Sequence, residues 1–178
     1  MRQIPNILSA ARLLLAPYLF WLLWRREYSL ALAVIVIAGI SDGLDGLLAR
    51  KLNANSRIGA YLDPLADKML LSGAFLTLAL DGAIELWLAI LVFGRDIVIL
   101  MLAGGAFFLT KTIRNFPPSI WGKASTMAQI LFVLAVIAHL GGFADNFAVM
   151  PLKWLVAALA IFSGADYIRR AALIKAKA

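Results

Sequence analysis

The chain has no cysteine and one histidine, His139, in 178 residues. Neither a disulfide framework nor a thiolate metal site can be built from it. It also lacks a glycine-rich phosphate loop, a Ser/His/Asp set and any zinc-type ligand spacing. Charge is scarce: 15% of residues are charged, with ten Asp and Glu against seventeen Lys and Arg. What fills the space is apolar, 63% of the chain, with a mean hydropathy of +0.89. Such a composition does not describe a soluble domain; it describes a small polytopic membrane protein. At this length it forms a single domain over residues 1–178. The net charge of +7 is no nucleic-acid signal, because the basic residues lie in short loops and at the ends of apolar stretches. That is the pattern of topology signals and of contacts with anionic lipid headgroups.

A spanning helix needs about 20 apolar residues. Six stretches qualify, near 8–24, 29–50, 57–80, 84–108, 119–140 and 148–170. They are separated by breaks rich in charge, Gly, Pro or Asn, among them Arg25-Arg26-Glu27, Asp81-Gly82 and Gly141 to Asn146. The expected fold is therefore an all-α bundle of six transmembrane helices. Ile4-Pro5-Asn6-Ile7-Leu8 is expected as a possible short interfacial helix. Arg12 interrupts the first apolar stretch and no cleavage site precedes Arg25, so this segment reads as a retained helix rather than a signal peptide.

With the N-terminus inside, thirteen of the seventeen basic residues fall on or near the inner side. Both termini are then cytoplasmic. Arg25, Arg26 and Lys153 fall outside and Arg95 lies within a span. The two arginines of the first outer loop break the rule locally.

Four of the ten acids, Asp42, Asp45, Asp63 and Asp67, lie within 26 residues flanked by membrane-grade sequence. An ionised carboxylate near hydrocarbon costs several kcal/mol, which makes these acids functional candidates. Asp42 and Asp45 are three apart and Asp63 and Asp67 four apart, so on helices each pair shares a face. Two such faces together make an oxygen-rich cage for hard divalent cations such as Mg²⁺. Gly46, Ala49 and Gly59 are small residues beside the acids, leaving room for something large, such as a nucleotide. Arg50 offers a planar cation for a phosphate. Pro64 is expected to bend the third helix near the site. Two other readings compete: the acids form structural salt bridges with Arg50, Arg57 and Lys68, or they line an ion or proton pathway.

At these positions the sequence resembles the CDP-alcohol phosphotransferase family. The family signature D-x2-D-G-x2-A-R-x8-G-x3-D-x3-D is matched by Asp42, Asp45-Gly46, Ala49-Arg50, Gly59, Asp63 and Asp67 without departure. The resemblance implies an enzyme that displaces CMP from a CDP-linked donor, usually CDP-diacylglycerol, with the hydroxyl of an acceptor alcohol. It implies two divalent cations, Mg²⁺ or Mn²⁺, on Asp42, Asp45, Asp63 and Asp67, with Asp67 also the general base. Gly46, Ala49, Arg50 and Gly59 would line the CDP site. A homodimer is expected on the same grounds, while the placement of Lys and Arg puts the motif at the cytoplasmic face, with a bacterial cytoplasmic membrane as the expected setting.

The acceptor is less legible. Arg95 and Asp96 lie mid-span, where an arginine either pairs with an acid or faces a polar cavity. Lys111, Arg114 and Lys123 cluster at inner helix ends, as anchors or as a site for an anionic acceptor. Ser119, Gly122, Lys123, Thr126 and Gln129 recur at helical spacing and are expected to face the bundle interior, which favours Lys123. Arg95, Arg114 and Lys123 are thus the candidate acceptor-binding residues. Asp166 with Arg169 and Arg170 reads as a surface pair at i,i+3 and i,i+4. Within the family, Gly94-Arg95-Asp96 looks like the cardiolipin synthase and phosphatidylglycerophosphate synthase branch. Asp rather than Glu at position 96 favours phosphatidylglycerol as acceptor, with glycerol 3-phosphate as the alternative. His139 is expected at a helix end, the five tryptophans in an interfacial belt, and Asp81 and Glu85 in solvent.

Overall fold

The computed structural model describes residues 4–52, 59–110 and 119–177; side chains are described for 14–41, 68–102 and 119–173. Among the described residues there are six helices and no strand. They are α1 (Ile4–Trp24), α2 (Tyr28–Leu52), α3 (Gly59–Leu80), α4 (Leu86–Thr110), α5 (Ile120–Leu140) and α6 (Val149–Lys177). Each agrees with an apolar stretch of the sequence to within a few residues, except that α6 runs on through the basic tail. The segment from Ile4 is not a separate interfacial helix but the continuous start of α1. Pro17 lies inside α1.

The chain divides into two units, residues 1–83 with 133–145 and residues 84–132 with 146–178. In the first, α1 packs against both α2 and α3. Ala16, Leu19, Leu22 and Leu23 of α1, Ala31, Ile35 and Ala38 of α2, and Leu70, Ala74, Phe75 and Leu78 of α3 are buried. The three-to-four spacing of these residues is one helical face each. Gly73 allows the closest approach, since a Cβ there would collide with the Phe20 ring. In the second unit, α4 packs on α6, burying Leu88, Ala89 and Val92 with Val156, Ala157 and Ala160.

Three helix ends use the same backbone device. At α1, Arg26 N–H bonds to Leu23 C=O at 3.0 Å and Glu27 N–H to Leu22 C=O at 2.9 Å. Gly82 and Ala83 repeat the pattern after α3, and Gly142 and Phe143 after α5. This is the Schellman ending, which needs a left-handed residue and usually takes glycine. Gly82 and Gly142 supply it with φ of 76° and 74°, whereas the first helix uses Arg26, with φ of 59°.

Two helices are long and apolar enough, over their described residues, to cross a membrane: Ile120–Leu140 and Val149–Leu173. Their opposite faces differ. Val133, Val136 and Ile137 of α5 are buried, while Ile120, Met127 and Leu131 are exposed.

Candidate functional site

The four acids of the motif lie on two helices of one unit. Asp42 and Asp45 are in the second half of α2, with Gly46, Ala49 and Arg50 following on the same helix. Gly59 opens α3, and Asp63 and Asp67 lie in its first turns with Pro64 between them. The side chains of all these residues fall outside the described set, as does Arg114.

The helices carrying the acids are joined at their other ends. Arg26 Nη2 donates to Asp81 Oδ1 at 2.9 Å, and Tyr28 OH donates to Asp81 Oδ2 at 3.2 Å. Tyr28 is the first residue of α2, and Asp81 follows the last residue of α3. Fourteen residues along α2 from Tyr28 is Asp42, and fourteen residues back along α3 from Asp81 is Asp67. At 1.5 Å per residue both are about 21 Å from the clasp. Asp45 and Asp63 are seventeen and eighteen residues away, again level with each other to within one residue. Counted in residues from the clasp, Asp42 therefore pairs with Asp67 and Asp45 with Asp63. Asp81, expected in solvent, is instead a paired residue whose side chain is 20% exposed. Its partner Arg26 accounts for one of the two arginines that break the positive-inside rule. The other, Arg25, lies over the Trp21 ring at 5.1 Å.

In the second unit a polar network runs between α4, α5 and α6. The Arg95 guanidinium donates to Asp96 Oδ1 at 2.6 Å, to Ser163 Oγ at 2.7 and 3.2 Å, and to the Gly122 carbonyl at 3.4 Å. The Arg95 side chain is 8% exposed. Its donors thereby tie three helices together. Gly122 is buried beneath it, and a Cβ there would stand 3.1 Å from Tyr167 Oη and 3.3 Å from Arg95 Nη2.

The interior stripe of α5 is not quite the one its spacing suggests. Ser119, Gly122, Ser125 and Gln129 are buried, while Lys123 and Thr126 are exposed. Gln129 Nε2 donates to Ser125 Oγ at 3.3 Å, a residue the sequence reading passed over. Thr126 Oγ1 donates to the Gly122 carbonyl one turn back, at 3.1 Å. The Lys123 backbone N–H bonds to the Ser119 carbonyl at 3.1 Å, while its ammonium makes no hydrogen bond or ion pair among the described residues. Asp166 is more than a surface pair. It accepts from Arg170 Nε at 2.8 Å and Arg169 Nη2 at 3.2 Å, but also from Ser119 Oγ at 2.5 Å. With Tyr167 OH accepting from Ser119 N–H at 2.9 Å, these contacts dock the start of α5 on α6.

Glu85 is exposed, as expected, and accepts from Lys153 Nζ at 2.6 Å. That hydrogen bond holds its carboxyl below the usual range. His139 does sit at a helix end, its Nδ1 3.1 Å from the Ala144 carbonyl.

Compared with known proteins, residues 2–164 match the family described as CDP-alcohol phosphatidyltransferase. The chain belongs to this family. A CDP-diacylglycerol–glycerol-3-phosphate 3-phosphatidyltransferase of Aquifex aeolicus is 35% identical over 136 residues, covering 75% of each chain. One of the same name from Pseudomonas fluorescens is 32% identical over 177 residues, 95% of this chain and 90% of that one. A cardiolipin synthase (CMP-forming) of Rattus norvegicus is 33% identical over 153 residues, 76% of this chain but 50% of the longer rat protein. The chain is therefore a CDP-alcohol phosphatidyltransferase, an enzyme of a family that generally depends on divalent metal ions.

Proposed function

We propose that this phosphatidyltransferase moves the phosphatidyl group of CDP-diacylglycerol to the hydroxyl of a glycerol-type acceptor, releasing CMP, with its site built on Asp42, Asp45, Asp63 and Asp67. The observation that supports the site is the clasp between the start of α2 and the end of α3, from which Asp42 and Asp67 are each fourteen residues away, about 21 Å along a regular helix. Four carboxylates supply the hard oxygen donors that divalent cations such as Mg²⁺ take. Asp42, Asp45, Asp63 and Asp67 would hold two such ions, Mg²⁺ or Mn²⁺. When bound, these ions neutralise charge on the donor pyrophosphate. Asp67 takes the proton from the acceptor hydroxyl. Gly46, Ala49 and Gly59 leave room for the cytidine nucleotide, and Arg50 pairs with its phosphate.

The single domain spans the membrane six times, both termini are cytoplasmic, and the acids open to the cytoplasm. Support comes from the aromatic residues. All five tryptophans are exposed, from 43% for Trp87 to 69% for Trp24, and all lie within a few residues of a helix end. Trp21 and Trp154 carry Arg25 and Lys153 over their rings. Exposed tryptophans with adjacent cations at helix ends mark a membrane–water interface. The cytoplasmic membrane of a bacterium is the setting, and a homodimer the working assembly.

Phosphatidylglycerol is the acceptor we place first, from Asp96 beside Arg95. Glycerol 3-phosphate is the second reading, favoured by the end-to-end match with the Pseudomonas relative. The test is purified protein with CDP-diacylglycerol and Mg²⁺, given each acceptor in turn, with the lipid product identified by mass. Cardiolipin with CMP supports the first reading and phosphatidylglycerophosphate the second. Absence of CMP with both would overturn the glycerol-type assignment.

A further inference from the structure

The clasp made by Arg26, Tyr28 and Asp81 lies far from the motif and has no part in the reaction as described. Its chemistry is nonetheless costly. Arg26 occupies the left-handed position of a Schellman ending, where Gly82 and Gly142 serve the other two helices. A non-glycine residue there is strained, because its Cβ comes too close to the following carbonyl oxygen. The side chain is 68% exposed, so packing does not account for it. What the arginine provides, and a glycine cannot, is the bond to Asp81. Tyr28 adds a second bond to the same carboxylate.

The consequence of these bonds follows from helix geometry. They fix the first residue of α2 against the end of α3, and a helix transmits axial position along its length. A slip of one residue between α2 and α3 would offset the two acid pairs by about 1.5 Å and rotate one by about 100°. Metal sites tolerate far less than that. The shared packing of α2 and α3 on α1 constrains their separation and tilt, and the polar clasp pins their relative height.

We infer that Arg26, Tyr28 and Asp81 are positioning residues for the divalent-cation site, setting the register of Asp42 and Asp45 against Asp63 and Asp67 from the opposite helix ends. This rests on the reading of the four acids as a metal site. Arg26→Gly is the informative variant, because it relieves the left-handed strain while removing the bond. The two effects oppose each other in stability but not in register.

The experiment titrates Mn²⁺ into wild-type, Arg26→Gly, Asp81→Asn and Asp42→Asn/Asp67→Asn proteins in lipid nanodiscs. Free Mn²⁺ is read by electron paramagnetic resonance, and thermal unfolding is followed in parallel. In wild type, saturable binding that the double Asn variant abolishes is expected. Arg26→Gly and Asp81→Asn should bind about three- to tenfold more weakly, with Arg26→Gly unfolding close to the wild-type temperature. Wild-type Mn²⁺ affinity in both clasp variants would overturn the positioning role and leave the metal site standing. Binding that survives Asp42→Asn/Asp67→Asn would overturn the metal site itself and the positioning role with it.

Discussion

Arg95 Nη2 and Ser163 Oγ are 2.7 Å apart, a bond between α4 and α6 made by a guanidinium whose remaining donors reach Asp96 and the Gly122 carbonyl. In a bundle of apolar helices, where there is little water to compete, such a group acts as a three-way tie.

Arg95→Met should therefore destabilise the fold by about 3 kcal/mol, since it strips a cation from the poorly exposed Asp96 carboxylate. Ser163→Ala should cost about 1 kcal/mol, because the guanidinium keeps its other partners. Denaturation in detergent checks both. If Arg95 served chiefly to bind acceptor, Arg95→Met would raise the acceptor KM and leave stability unchanged.

Gly122 and Gly94 make a controlled pair. An alanine methyl at 122 meets Tyr167 Oη at 3.1 Å, and one at 94 meets nothing within 4 Å. Gly122→Ala should destabilise by about 1–2 kcal/mol through overpacking. Gly94→Ala should be neutral or stabilise by up to about 1 kcal/mol. Equal effects at the two sites would contradict the close docking of α5 on α6.

The pair of Glu85 and Lys153 gives a pH dependence. The hydrogen bond from Lys153 lowers the Glu85 pKa below its ordinary value of 4.5 in the folded protein. A depressed carboxyl stabilises the fold at pH above its unfolded pKa, and the contribution fades as pH falls through the folded one. Lys153→Met should lower Tm slightly at pH 7 and leave it matching wild type once pH drops well below 4.5. Because Glu85 is 48% exposed, the difference at pH 7 should be small and shrink in high salt.

Chelation offers a fourth check. Removing divalent cations with EDTA should abolish CMP release, and Mg²⁺ or Mn²⁺ should restore it without refolding.

Much of the fold is legible because each loop carries its own punctuation. Asp81-Gly82 and Gly141-Gly142 stop helices where a left-handed residue is needed, and the sequence marks both with glycine. The motif acids are equally plain, since four carboxylates in an apolar chain have few other uses. What the sequence does not show is which residues meet across helices. Spacing alone places Lys123 on the Ser119 and Gln129 stripe, yet Lys123 is exposed and Ser125 takes the interior position. A helical face is about 100° wide, and residues at its margin are assigned by neighbours rather than by period. The ion pairs of Asp81 and of the exposed Glu85 are hidden for the same reason. Their partners Arg26 and Lys153 are 55 and 68 residues away, and no local pattern links them.

The most direct test of the central claim is CMP release by Asp67→Asn beside wild type, in proteoliposomes holding CDP-diacylglycerol, acceptor and Mg²⁺. The account predicts acceptor-dependent CMP from wild type and a loss of several orders of magnitude in the variant, with thermal unfolding unchanged within a few degrees. An Asp67→Asn protein that releases CMP at the wild-type rate would contradict the assignment of Asp67 to the chemistry.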